Sequence, residues 1–229
     1  MTNSIIVSVT AHPDDEVLGF GGTGSKLASR GNKVYNCILS GKADARRYRP
    51  EAEILYQDTC KAQKIMGCEP PILGAFPNIQ FNTIPHLELV QYIEKIIEEL
   101  EPDYIFTHHP YDLNNDHYHV SKACQAASRL CYRKNLKRIK GLYFMEIPSS
   151  TDWAYPVDGN NFQANTFVEI GNEFLNIKLT ALEAYRGVMR PFPHSRSIEA
   201  ITGLAAYRGG QSRSNYAEAF QGVFQFLDI

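Results

Sequence analysis

The first thirty residues constrain this chain more than any other stretch. Ile5-Ile6-Val7 and Val9 are β-branched and apolar, so residues 5–10 read as a strand. Residues 16–30 contain no proline and close on Gly31, so they read as a helix. The turn between them, Ala11-His12-Pro13-Asp14-Asp15-Glu16, packs one imidazole and three carboxylates into adjoining positions. A turn at the carboxyl end of a parallel strand is where open α/β sheets place their chemistry. His12 and Asp15 stand three apart and can face one point. Asp14 points differently and is available for a separate task. Acids at a helix start also complement the helix dipole, but that role explains neither His12-Pro13 nor a second cluster further along.

The alternation continues. Strand signals at 33–40, 72–76, 104–107 and 141–147 are interleaved with helix signals at 51–66, after Pro85, and at 119–133. The helix after Pro85 has the clearest period, through Leu87, Val90, Ile93, Ile97 and Leu100. Strand and helix in this order imply a Rossmann-like α/β fold, a mostly parallel sheet with helices on both faces. Residues 148–165 read as a loop, 166–170 as a late strand, and 174–189 and 198–207 as helices. There is no repeat. A chain of 229 residues suits one domain spanning 1–229.

Composition excludes several classes. A net charge of −2 argues against a general nucleic-acid binder. Five cysteines, Cys37, Cys60, Cys68, Cys124 and Cys131, form no Cys-x-x-Cys pair, so reduced thiols are expected rather than a disulfide framework or a thiolate zinc site. No apolar run approaches the ~18–20 residues of a membrane span, and no signal peptide is visible. The expected compartment is the cytoplasm.

The second cluster follows the strand signal at 104–107. It runs Thr107-His108-His109-Pro110-Tyr111-Asp112-Leu113-Asn114-Asn115-Asp116-His117-Tyr118-His119. If the first and fourth strands bring their carboxyl ends together, His12, Asp15 and one of these histidines can surround a metal. Two histidines, one carboxylate and an open position suit catalytic Zn²⁺ and admit other divalent ions. His117 is the favoured third ligand. It lies in a polar turn directly after Asp116, a carboxylate able to steady a ligating imidazole. His108 and His109 end a strand and read as packed or hydrogen-bonded groups, and His119 points elsewhere.

These residues, with Gly19 and Gly21-Gly22-Thr23, resemble the LmbE-like/PIG-L family of zinc-dependent N-acetylglucosaminyl de-N-acetylases. Phe76-Pro77-Asn78, Phe81-Asn82, Thr107-His108-His109-Pro110, Asp112-Leu113-Asn114, Pro193-His194-Ser195 and Ala217-Glu218-Ala219-Phe220 extend the likeness towards a bacterial sugar-modifying branch. The resemblance implies that His12, Asp15 and His117 bind the metal and that Asp14 is the general base. It implies a small-molecule N-acetyl sugar or glycoside as substrate, and leaves a homo-oligomer open. Many members carry a histidine three residues before the second metal-binding histidine. Here Asn114 occupies that position, able to donate a hydrogen bond but not a proton. His194 is then a candidate oxyanion donor or acid, as are Arg46 and Arg47, and Arg46, Arg47 and Asp112 are candidate substrate contacts.

Rival readings are weaker. Gly19-Phe20-Gly21-Gly22-Thr23-Gly24 satisfies G-x-G-x-x-G, but the glycines start too far from the strand and no acid ends the second strand. They are expected to serve helix packing. A sugar-binding protein without turnover, or hydrolysis of a different amide by the same site, remain alternatives. Trp153, Tyr155 and Phe162 in the long loop either stack on a sugar or anchor the loop.

Overall fold

In the computed structural model, which describes residues 3–43, 50–156 and 159–227, the β-branched runs become strands as expected. Ile5–Thr10 (β1), Lys33–Ile38 (β2), Ile72–Leu73 (β3), Tyr104–His108 (β4) and Gly141–Met145 (β5) are parallel. Thr166–Glu169 (β6) and Ala217–Gln225 (β7) complete a seven-stranded sheet, ordered β3-β2-β1-β4-β5-β7-β6. β7 runs antiparallel to both β5 and β6. The fold is therefore α/β with a mostly parallel sheet.

The helices are Asp15–Ser29 (α1), Ala52–Met66 (α2), His86–Leu100 (α3), Asn115–Ala127 (α4), Gly171–Ala184 (α5) and Ile198–Ser212 (α6). Alternate residues of each strand feed two cores. Ile6, Val34 and Phe106 pack with α1, α2 and α5 on one face, while Val7, Val9, Cys37 and Ile105 pack with α3 and α4 on the other. Helices on both faces explain why the strands are apolar on both sides. Each fully buried leucine or isoleucine adds about 1.5–3 kcal/mol of burial free energy.

Several boundaries differ from the sequence reading. The apolar stripe of α3 is Leu89, Val90, Ile93, Ile96 and Ile97, whereas Leu87 is exposed. Pro85 precedes the first residue of that helix, so Leu87 sits in a first turn that overhangs solvent. α4 begins four residues earlier than expected, because Asn114 Oδ1 accepts from the Asp116 amide at 3.0 Å and caps it. It ends at Ala127, and a 3₁₀ turn over Leu130–Tyr132 takes up the apolar residues that follow. β7 was not expected at all. Its sequence mixes the strand formers Phe220, Val223 and Phe224 with Ala, Glu, Gln and Gly at no regular period, and its place between two strands completes the pairing.

The glycines of α1 lie inside the helix, as the packing reading expects. A Cβ on Gly22 would meet Ile170 at 2.9 Å and the Glu218 carboxyl at 3.3 Å. That close approach lets Glu218 of β7 accept from the amides of Gly22 (3.0 Å) and Thr23 (2.7 Å). Lys178 of α5 completes the cluster, donating to Glu218 and to the Leu18 carbonyl, each at 2.7 Å. All five cysteines are free, as expected.

Candidate active site

β1 and β4 are neighbours, and the chain leaves them in opposite directions across the sheet, β1 towards β2 and β4 towards β5. This is a topological switch point. The two clusters meet there. The Ala11 amide donates to His108 Nε2 at 2.8 Å and ties the two strand ends together.

Asp15 turns back onto its own loop. Its Oδ2 accepts from the His12 amide at 2.9 Å, lies 3.3 Å from His12 Nδ1 and 3.1 Å from His117 Nε2. One atom each from His12, Asp15 and His117 can thus gather around a common point. The outer nitrogen of each histidine faces a carboxylate. His12 Nε2 is 2.9 Å from Asp116 Oδ2, and His117 Nδ1 is 3.2 Å from Asp112 Oδ1. Asp116 is fixed in turn by the Phe81 amide at 2.9 Å. Asp112 accepts from the Ser150 hydroxyl, from Thr151 Oγ1 at 2.7 Å and from the Asn114 amide at 2.9 Å. Carboxylates behind imidazoles fix tautomer and ring orientation in metal sites.

The donor set suits a divalent cation. His117 Nε2 is buried and makes no directed hydrogen bond although Asp15 Oδ2 lies 3.1 Å away, so the two atoms face a point that a shared cation would fill. Burial opposes charge on this ring, yet Asp15 and Asp112 outweigh it and push His117 up to about 10. Burial would raise Asp15, but His117 and His12 hold it well below the usual carboxylate range. The site favours positive charge, which a divalent ion would supply. A second grouping, His108, Asp112 and His117, shares His117. His108 differs from His117 in that its Nε2 already receives the Ala11 amide and its ring stacks on the His117 ring at 3.7 Å, which leaves only its buried Nδ1 open to an ion. Burial, and then His117, push His108 down to about 3, so it is neutral.

Asp14 sits at φ 99° and ψ −28°, a left-handed conformation. Such strain costs of order 1–3 kcal/mol and concentrates at functional sites. Glu16 helps to hold it, since its Oε2 accepts from the Asp14 amide at 3.0 Å. Oε1 of the same carboxyl accepts from Tyr185 at 2.6 Å and Gln63 at 3.0 Å, and Gln63 leads on to Asn36 and Ser8 on the sheet. Burial, with the Asp14 charge adding to it, raises Glu16 to about 8 despite the Tyr185 hydrogen bond.

Asp14 lines a cleft of about 330 Å³ together with His12, Asp15 and His117. Arg196 closes one wall. Its Nη1 donates to Asp14 Oδ2 at 3.1 Å and its Nε to Ser149 Oγ at 2.6 Å. Sequence reasoning singled out the neighbouring Pro193-His194-Ser195 and missed Arg196 itself. A lone arginine in a polar loop gives no local signal, and only the fold carries this loop to the end of β1.

Asn114 lines the cleft, with its side-chain oxygen committed to the α4 cap. His194 lies outside the cleft, in an adjoining hollow with Arg190 and Val188. Its Nδ1 accepts from the Arg196 amide at 3.0 Å, and burial followed by the charges of Arg196 and Arg190 lowers its pKa. Both oxygens of Asp112 are engaged behind His117. Asp116 steadies His12 rather than the histidine next to it. Arg46 and Arg47 lie outside the described residues.

The sequence pattern of the PIG-L family, GlcNAc-PI de-N-acetylase, matches residues 7–128, which include every residue of this His/Asp cluster. The chain belongs to the PIG-L family. This PIG-L member is 25% identical over 190 residues to the uncharacterized deacetylase YaiS of Escherichia coli, covering 79% of the present chain and 90% of YaiS. Its fold is similar to the N,N'-diacetylchitobiose deacetylase of Pyrococcus horikoshii, with a TM-score of 0.74 and 20% identity over 96% of this chain and 84% of that one. It is also similar to GalB, the 4-carboxy-2-hydroxymuconate hydratase of Pseudomonas putida, with a TM-score of 0.76 and 18% identity over 99% and 98%. Likeness at that identity concerns the fold, and the reaction has to be read from the site. Among the described residues of this PIG-L chain, no helix is long and apolar enough to cross a membrane.

Proposed function

We propose that this protein is a metal-dependent amidohydrolase, with Zn²⁺ the expected ion, that removes the acetyl group from an N-acetylated amino sugar or glycoside. The observation that carries this reading is the cleft itself. Three potential ligand atoms from His12, Asp15 and His117 converge at its floor, and the Asp14 carboxylate stands beside them without joining the set.

His12, Asp15 and His117 would hold the ion. When bound, a divalent ion polarises the acetamide carbonyl and acidifies a water. Asp14 accepts the proton of the attacking water and returns it to the departing amine nitrogen. Arg196 pairs with the Asp14 carboxylate at 3.1 Å and brings a positive charge to the cleft that would favour a developing oxyanion. The Asn114 amide NH₂ is a further donor lining the cleft. Asp112 and Asp116 keep the two imidazoles in register. His194 does not line the cleft but stands behind it, accepting from the Arg196 amide and lying edge-on to Trp153, and it is left out of the chemistry.

The deciding measurement is metal content by elemental analysis, beside acetate release from a panel of N-acetyl sugars and simple amides. The expected result is about one divalent ion per chain, lost in Asp15→Ala, with acetate released from a sugar. A stoichiometric metal with no acetate from any sugar, but turnover of another amide, would move the substrate class. Metal-free protein that takes up no added Zn²⁺ would favour a binding protein instead.

A further inference from the structure

Past Leu113 and Trp153 the cleft opens into a second hollow of about 490 Å³, and those two side chains line both spaces. Four aromatic residues border the second hollow or its mouth. Tyr111 and Tyr118 come from the start of α4 and the turn before it, Trp153 and Tyr155 from the loop after β5. They are 50%, 40%, 42% and 78% exposed. Four large rings from separate segments, held in water around one hollow, are a surface that folding alone does not account for. Phe162, from the same loop, behaves differently. It is half-buried against His109 at 5.8 Å and serves as the loop's anchor. Lys122 Nζ lies 6.0 and 5.8 Å from the Tyr111 and Tyr118 ring centroids and helps to hold the two rings together.

The rest of the lining says what would sit there. Asn115, Asn160 and Asn161 stand at the edge of the hollow, each offering both a donor and an acceptor. Asp112 also borders it, but its oxygens are already engaged by Ser150, Thr151 and the Asn114 amide. Aromatic faces beside neutral amides match a pyranose, which presents an apolar C–H face and a rim of hydroxyl groups. An acyl chain would leave the amides without partners, and an anion would find no unengaged cation among these lining residues.

We propose that this hollow is a second saccharide subsite, receiving the sugar ring glycosidically linked to the N-acetyl sugar in the catalytic cleft. It rests on the reading of the cleft given above and makes the substrate at least a disaccharide unit.

Trp153 is the only tryptophan in the chain and stands at the junction of the two spaces, so its fluorescence reports on either. The experiment titrates Asp14→Asn protein with N-acetylglucosamine, with its β-1,4-linked dimer and with its phenyl glycoside, each followed by Trp153 fluorescence. Acetate release by wild-type protein is measured in parallel. The expected result is that the dimer binds about tenfold more tightly than the monosaccharide, the gain that one or two stacked rings supply. Tyr155→Ala and Tyr118→Ala, each at an exposed position, should remove most of that gain and leave the monosaccharide affinity unchanged.

Equal affinity for monomer and dimer would overturn the subsite, as would a gain that both tyrosine variants retain. A phenyl glycoside that gains as much as the dimer, and loses it in the variants, would overturn it in favour of an apolar aglycone site. Saccharides that leave the fluorescence unchanged would overturn it as well. The reading of the cleft is judged separately, by acetate. A dimer gain without acetate release would sink the deacetylase reading and leave the subsite standing.

Discussion

Asp14 holds a backbone conformation that most side chains resist, φ 99°, at the point where its carboxylate enters the cleft. Aspartate and asparagine tolerate the left-handed region better than other non-glycine residues. Asp14→Asn is therefore the substitution that isolates the charge. It should keep its metal content and lower kcat by about 10²–10⁴, the usual worth of a general base, as read by acetate release and elemental analysis. Arg196→Ala should lower kcat by tenfold or roughly more while changing KM less. Arg196→Lys should rescue it only in part, because lysine lacks the fork that spans Ser149 and Asp14. At this scale, what the sequence made legible was whatever is local. His12 and Asp15 are three apart on one turn, and Asp116 and His117 are adjacent. What stayed hidden depends on long-range placement. That Asp112 would stand behind His117, that Asp116 would serve His12, and that Arg196 would reach Asp14 all follow from how loops cross at the switch point.

Among the elements, the start of the sheet rests on one buried carboxylate. Asp103 Oδ2 accepts from the Ile5 amide at 2.9 Å and faces Lys137 Nζ at 2.7 Å, while its backbone bonds Ile5 and Lys140. Burial would raise its pKa, but Lys137 and the Ile5 amide outweigh that and lower it. A depressed folded-state pKa gives stability that is fully present above the unfolded value of 3.8 and is lost as pH falls through the folded one. Wild-type protein should thus lose stability on acidification below about pH 5 more steeply than Asp103→Asn does. Denaturant midpoints taken at a series of pH values will check this; parallel curves for the two proteins would assign the acid sensitivity to other groups. Elements with strong local patterns, such as β1, β4 and α3, were legible from sequence. The early start of α4 was encoded in Asn114, but a capping asparagine looks the same as a loop asparagine until its partner is known. β7 had strand formers in Phe220, Val223 and Phe224 but no regular period to read, and its pairing with β5 and β6 completes the strand.

For the whole molecule, the Lys178–Glu218 cluster joins α1, α5 and β7, so the first forty residues and the last twenty are held at one buried contact. Lys178→Met would leave Glu218 as an unpaired buried charge, at a cost of about 3–5 kcal/mol. Adding Glu218→Gln should recover part of this, since glutamine removes the charge and keeps one oxygen for one of the two α1 amides. Thermal unfolding of the single and double variants is the measurement; a double variant as unstable as the single would locate the effect in packing rather than charge. The position of β7 has a further consequence, which concerns the order in which the protein is made. The strand synthesised last of the seven is not an outer strand but an inner one, slotted between β5 and β6. While the chain is still emerging from the ribosome, β5 and β6 must wait with unsatisfied backbone edges, the sort of surface that pairs readily with other chains. A nascent chain stalled before residue 217 should therefore be a client for chaperones, and a truncation there should aggregate rather than yield a smaller working enzyme.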